Sequence, residues 1–183
     1  MVGTVGTEET RLIVLRGNSA SGKSSVAAGL RERFDGKLAV VGQDNLRRIV
    51  LGEHDRPGAA NIGLIGMTAR YALDSGFHTV VEGILSADRY GSMLDDLVRD
   101  HRGTTRCYYL DVPLQETLAR HATKADPDYL AQVTDEHLRE WYRERDFLPG
   151  GIESVIDAAS SLEATVERIM RETRWRRVPA LDR

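Results

Sequence analysis

The segment Gly17-Asn18-Ser19-Ala20-Ser21-Gly22-Lys23-Ser24 holds two glycines, a lysine and a hydroxyl at the spacing G-x-x-x-x-G-K-[ST]. Each fixed residue type has a physical task in holding a chain of phosphates. The glycines let the backbone curl so that successive N–H groups point inward, and a helix starting at the end of the loop adds the positive end of its dipole. Lys23 is then placed to reach the β- and γ-phosphates. The Ser24 hydroxyl is placed to ligate Mg²⁺, and Ser25 completes the set of candidate nucleotide contacts. Four further side chains could do chemistry beside such a loop: the carboxylates Asp44 and Glu82, and the arginines Arg47 and Arg143. Asp44 would accept a proton from a hydroxyl or hold the metal's water shell, and Glu82 would bind a hydroxyl or a metal-bound water. Arg47, one helical turn beyond Asp44, and Arg143 are candidate substrate contacts. His54, His78, His101, His121 and His137 share no metal-ligand spacing.

These residues need a frame to bring them together, and the apolar pattern supplies one. Leu12–Leu15 is a strand running into the Gly-rich loop, and Val26, Leu30 and Phe34 lie on one face of the helix that leaves it. Leu38–Val41 is a second strand ending at Gly42-Gln43-Asp44, with a helix from Asn45. Residues 61–75 form a helix stopped by Gly76. His78–Leu85 is a strand carrying Glu82 near its end, and residues 89–102 form an amphipathic helix with Tyr90, Met93, Leu94, Leu97 and Val98 inward. Residues 104–110 form a fourth strand, holding the lone Cys107 in the core, and residues 114–121 a helix. A polar, Pro-interrupted stretch at 122–128 marks a lid, followed by an arginine-rich helix over residues 135–146 with Leu138, Trp141 and Tyr142 packing inward. Ser154–Asp157 is a short fifth strand, and Ser160-Ser-Leu-Glu163 reads as a capping box for a last helix. Strands alternating with helices predict a three-layer α/β fold, a five-stranded parallel sheet covered on both faces. Polar groups at the carboxyl ends of such strands face the ligand crevice.

The 183 residues suit one domain. Residues 1–10 are expected to be a flexible tail, 11–174 the domain with its helical lid at about 120–145, and 175–183 a second tail. At 41% hydrophobic and 29% charged residues, the composition is that of a globular protein, with no membrane-length apolar run and no signal-peptide pattern. One cysteine excludes an internal disulfide and favours a reducing, cytoplasmic setting. A net charge of −3 gives no general pull toward nucleic acid, although all but three of the 25 basic residues are arginine.

From Leu12 to about Arg171 the chain resembles the small P-loop kinases, in particular the group of chloramphenicol phosphotransferase, zeta toxins and the polynucleotide 5′-kinase domain. The resemblance rests on the loop, on Asp44 followed three residues later by Arg47, on G-x-x-x-V-V-x-G from Gly76 to Gly83, and on Glu116-Thr117-Leu118-Ala119-Arg120 leading into the lid. It implies a P-loop NTPase fold and use of ATP and Mg²⁺. It also implies transfer of the γ-phosphate to a hydroxyl of a small molecule, an antibiotic or a metabolite, with Asp44 as general base and Arg120 on the transferring phosphate beside Lys23. A second aspartate on an apolar strand is missing from the pattern, unless Glu82 or Asp111 stands in. Alternatives are a polynucleotide 5′-hydroxyl kinase, a UDP-sugar kinase of the toxin type, and a GTP-binding switch. The switch is suggested by D-x-x-G at Asp55–Gly58 and by Thr123-Lys124-Ala125-Asp126, both out of their usual strand context.

Overall fold

The computed structural model describes residues 3–125 and 127–175, and residues 127–129 by backbone alone. Asp126 of the expected lid, and the C-terminal tail beyond Trp175, lie outside the described residues. Five strands form one parallel sheet in the order β2-β3-β1-β4-β5: β1 Arg11–Gly17, β2 Leu38–Gly42, β3 His78–Glu82, β4 Thr104–Asp111 and β5 Glu153–Asp157. Successive side chains of β1 leave the sheet on opposite faces. Leu12 and Val14 join a core with Val81 of β3, roofed by α2 (Ala60–Asp74) and α3 (Ala87–Asp100) through Ile65, Leu73, Tyr90, Leu94 and Leu97. Ile13 and Leu15 join the opposite core with Tyr108 and Ile156, closed by α1 (Lys23–Arg33) and α7 (Leu162–Glu172) through Leu30, Val166 and Ile169. The expected three layers are present. A small third cluster of Leu118, Val133 and Leu138 joins α4 (Leu114–Ala122), the chain after α5 (Pro127–Gln132) and α6 (Asp135–Trp141), and it touches Ala20 of the Gly-rich loop.

Several boundaries depart from the expectations. The stretch expected to be a flexible N-terminal tail is packed from Val5 onward: Val5 is 3% exposed, its N–H donates to the Asp100 carbonyl at 2.9 Å, and its own carbonyl accepts from Arg102 N–H at 3.0 Å. At the other end Trp175 is buried against Phe34, at 4.8 Å between ring centroids, so it belongs to the core rather than to a tail. The helix at Asn45 is a π-helical turn, Asn45–Val50, wider than the expected α-helix. The arginine-rich helix stops at Trp141, because Tyr142 turns extended, and Arg143 and Arg145 fall outside it. The last helix is capped by Ser161, whose Oγ accepts the Ala164 N–H, while Ser160 bonds Thr165 instead.

The largest side chain buried without exposure is Arg16 on β1. Its Nε donates to the Leu85 carbonyl, its Nη1 to Glu153 and its Nη2 to Asp146, each at 2.8 Å, and its guanidinium lies over the Tyr109 ring at 5.7 Å. The carboxylates are satisfied in turn: Asp146 accepts the Ala87 N–H at 2.9 Å and Glu153 the Leu148 N–H at 2.6 Å. One cation thus ties β1 to β5, to the start of α3 and to the chain after α6. Removing one member of such a group leaves buried charges uncompensated. Arg16→Met is therefore expected to lower the unfolding free energy in urea by about 3–5 kcal/mol. A loss under about 1 kcal/mol would mean that the group contributes little to holding these elements together.

Candidate functional site

The Gly-rich loop takes its shape where only glycine fits. Gly17 has φ +147, and a Cβ there would come 2.7 Å from the Leu110 carbonyl oxygen. Gly22, at φ +102, starts α1, whose first turn carries no side-chain cap and no acidic residue. The first amides of that helix are left for an anion. Lys23 is 7% exposed and donates to the Asn18 carbonyl at 2.7 Å and to Ser21 Oγ at 3.2 Å, so the ammonium is folded into the loop's own concavity. Arg120 leans over the loop from α4: its Nη1 donates to the Ser21 carbonyl at 3.2 Å, and its Nε to Glu116 at 2.9 Å.

Parallel pairing brings the carboxylates to the same edge. Glu82, at the end of β3, accepts from the Ser24 hydroxyl at 3.2 Å. Asp44 follows β2 and accepts from Arg47 Nη2 at 2.9 Å, with 65% of its side chain exposed. Ahead of it, Gln43 is buried, donating to the Tyr90 hydroxyl at 2.8 Å and accepting the Leu85 N–H at 3.0 Å, which fixes the direction in which the chain leaves β2.

Two cavities meet here. The first, of about 560 Å³, runs from Ser19–Val26 past Glu82, Arg120 and Lys124 to the loop Asp157–Leu162 between β5 and α7. The second, of about 780 Å³, lies between the chain 47–55, Arg89 and the segment 132–143. Ser19, Asp44 and Ile84 line both.

A family model described as "AAA domain" matches residues 12–148. The chain belongs to that family. A comparison with curated proteins found no match. Among solved structures, the AAA domain is similar to an APS kinase from Mycobacterium tuberculosis solved with AMPPNP and APS (TM-score 0.62, 20% identity, 92% of this chain and 97% of that one). It is also similar to the tunicamycin resistance protein of Deinococcus radiodurans (0.63, 21%, 93% and 99%) and to a sugar kinase from Janibacter (0.60, 19%, 88% and 93%). At these identities the likeness is one of fold, and it does not single out the narrower group that the sequence resembles.

Of the residues named from the sequence, Ser19, Ala20, Ser21, Gly22, Lys23, Ser24, Ser25, Asp44, Glu82 and Arg120 line the first cavity of the AAA domain. Gly17 and Asn18 do not. The Asn18 side chain is spent on the backbone of Arg143, accepting its N–H at 2.9 Å and donating to its carbonyl at 2.8 Å. Arg143 lines the second cavity, paired with Asp88 at 3.1 Å, and Arg47 lies there too. Asp111 lines neither cavity, so the carboxylate beside Ser24 is Glu82. Asp55 of the D-x-x-G match faces the second cavity, bonded to Arg89 and Tyr90, and not the phosphate loop. Trp141, expected in the core, is 42% exposed and stacks on His137 in the second cavity's wall. Sequence reasoning missed Asp157–Leu162 as a cavity wall; the strand-end position of Asp157 was the available signal. Arg16 gave none, because a charged residue between the end of an apolar run and a Gly-rich loop reads as the start of the loop.

Among the described residues no cluster of three or more His, Cys, Asp or Glu is placed to hold a metal alone. Ser24 and Glu82 offer oxygens only, which fits an ion such as Mg²⁺ that keeps water and phosphate ligands. Burial pulls the Lys23 pKa down from its ordinary 10.5 to about 8, against the opposing pull of Glu82 and Asp44. Burial also raises the Glu82 carboxyl, while Lys23 and Ser24 work the other way. An unfolded lysine keeps its proton up to about 10.5, so folding is penalised below pH 8 and the penalty fades between pH 8 and 10.5. Lys23→Met is expected to stabilise the free protein at pH 7 by on the order of 1–3 kcal/mol in urea denaturation. The same variant is expected to lose about 10- to 100-fold in affinity for Mg·ATP by calorimetry. Wild-type affinity should fall as pH rises past about 8. A variant that binds normally would remove Lys23 from the phosphate site.

Proposed function

We propose that the chain is an ATP-dependent phosphotransferase that moves the γ-phosphoryl group to a hydroxyl of a small molecule, an antibiotic or a metabolite. The observation that carries the reading is the position of Asp44, a single exposed carboxylate where the phosphate-loop cavity opens into the second cavity. The triphosphate lies along residues 19–25 with its base toward Asp157–Leu162, and the acceptor enters from the second cavity. Asp44 takes the proton of the acceptor hydroxyl, whose oxygen forms the new bond to the γ-phosphorus as the bond to the β–γ bridging oxygen breaks, and ADP leaves. Lys23 and Arg120 offset the charge spreading over the transferring group. Ser24 and Glu82 are the residues that would hold Mg²⁺ and its water, and the ion would supply neutralisation of the charge on the phosphates. Solved relatives of the same fold include kinases acting on APS and on sugars, which supports the reaction class. Three of the four arginines of the second cavity, Arg47, Arg89 and Arg143, are already paired with carboxylates, which favours a small acceptor over a nucleic-acid strand. ATP use and the buried Cys107 suit the cytoplasm, and among the described residues no helix is long and apolar enough to cross a membrane.

The test is ATP consumption against a panel of hydroxylated compounds, with binding measured separately. Asp44→Asn should keep ATP affinity and lose acceptor-dependent turnover by roughly 10²- to 10⁴-fold. Glu82→Gln should raise the Mg²⁺ concentration for half-maximal turnover about 10-fold or more. Turnover that survives in Asp44→Asn would remove the base assignment, and GTP-preferring hydrolysis without an acceptor would point to the switch.

A further inference from the structure

The second cavity is lined mainly by polar and charged side chains. Of its lining residues only Ile84, Val133 and Trp141 carry large apolar side chains; most of the wall is arginine, carboxylate, histidine and amide. Three of its four arginines are committed to carboxylates: Arg47 to Asp44 at 2.9 Å, Arg89 to Asp55 at 3.0 Å and Arg143 to Asp88 at 3.1 Å, while Arg48 donates to the Gln132 amide oxygen at 3.1 Å. Glu53 is spent on the start of α2, accepting the N–H of Ala60 at 3.0 Å and of Asn61 at 2.9 Å.

Around Asp44 and Asp55, where Arg47, Arg89 and Arg143 stand, an anionic acceptor would have to take an arginine from its carboxylate and leave that carboxylate beside the new charge. It would do so next to the triphosphate, which comes close where Ser19 and Asp44 join the cavities. An apolar acceptor would strip water from the ion pairs and return nothing. A hydroxyl avoids both costs, since it donates to a carboxylate and accepts from a guanidinium, joining a pair without breaking it. The remaining wall has a flat element. Trp141 stacks on His137 with ring centroids 5.2 Å apart and planes 9° from parallel, and the residue stays 42% exposed. Such a face suits the C–H side of a saturated ring.

We infer that the second cavity takes a neutral, polyhydroxylated acceptor, a saccharide or the sugar part of a glycoside, laid against Trp141 with its hydroxyls inserted among the Arg47–Asp44 and Arg89–Asp55 pairs. The inference deepens the phosphotransferase reading and rests on it for the reaction, while binding is independent of transfer.

Calorimetry on the full chain, without nucleotide, separates the two. The probes are neutral hexoses, N-acetylhexosamines, disaccharides and ribonucleosides, each beside a phosphate- or carboxylate-bearing counterpart, together with apolar alcohols. At least one neutral saccharide is expected to bind about 10-fold or more tightly than its charged counterpart and than any apolar alcohol. Trp141→Ala should weaken that binding about 10-fold and Trp141→Phe restore most of it, with ATP affinity unchanged in both. Preference for charged counterparts or apolar alcohols, binding of no saccharide, or indifference to Trp141→Ala would each overturn the inference. Saccharide binding without phosphorylated product by mass spectrometry, in the presence of Mg·ATP, would overturn the phosphotransferase reading and leave the ligand class standing.

Discussion

Parallel pairing of β1 between β3 and β4 is the constraint from which the site follows. Leu15 sits in register with Glu82, and Glu82 with Gly42, so one row crosses three strands at their carboxyl ends. Two residues beyond that row, β1 has reached Gly17 and the chain after β2 has reached Asp44. On the other side Asp111 and Asp157 end β4 and β5 in register. A phosphate loop, two carboxylates and the loop after β5 therefore gather at one rim because the strands all point one way. An antiparallel neighbour would have sent Glu82 or Asp44 to the opposite rim.

What holds the rim in shape is a set of buried polar side chains. Arg16 reaches through the core to Asp146 and Glu153, anchoring the chain that carries Arg143, and Asn18 then clamps Arg143's backbone from the phosphate loop. Gln43 does the corresponding work for Asp44 through Tyr90. The Tyr90 hydroxyl has its pKa raised by burial and by Asp55, keeps its proton, and shares it between Asp55 and Asn61, each at 2.8 Å. These groups are worth more for geometry than for net stability, since a buried pair recovers little beyond its own desolvation cost.

The same distinction separates what was legible in the sequence from what was not. Short apolar runs, down to the Val155-Ile156 pair of β5, marked every strand of the sheet, and the loop pattern placed Lys23, Ser24 and the start of α1. The misses fall where tertiary contacts override local pattern. Leu138, Trp141 and Tyr142 share one helical face on paper, yet the chain turns extended at Tyr142, and Arg143 is held by Asn18, 125 positions away. Val5 and Trp175 were read as ends of the chain because no local period includes them, and each is buried by a surface made elsewhere. Ser160, three positions before Glu163, reads as the cap on sequence, yet its hydroxyl is taken by Thr165 and Ser161 caps instead. Arg16 stands for the general limit: a buried charge is legible only once its partners, 130 and 137 positions away, are known.

The site's electrostatics show what this framework is set against. Burial pulls the Lys23 pKa down and pushes the Glu82 pKa up, and each charge partly offsets the other's loss. Both shifts oppose the charged forms, so the free protein holds a cation and a carboxylate in surroundings that disfavour them. On the proposed reading, a triphosphate with its metal would reverse the balance, giving Lys23 anionic oxygens and Glu82 a metal-bound water to hold. Part of the affinity would then come from relief of a cost that folding imposes on Lys23 and Glu82. That cost can persist only if the loop cannot open to hydrate Lys23, and Asn18, the Leu110 carbonyl packed on Gly17 and the anchored chain behind Arg143 prevent it. Rigidity at the rim and strain at the lysine are therefore one arrangement seen from two sides.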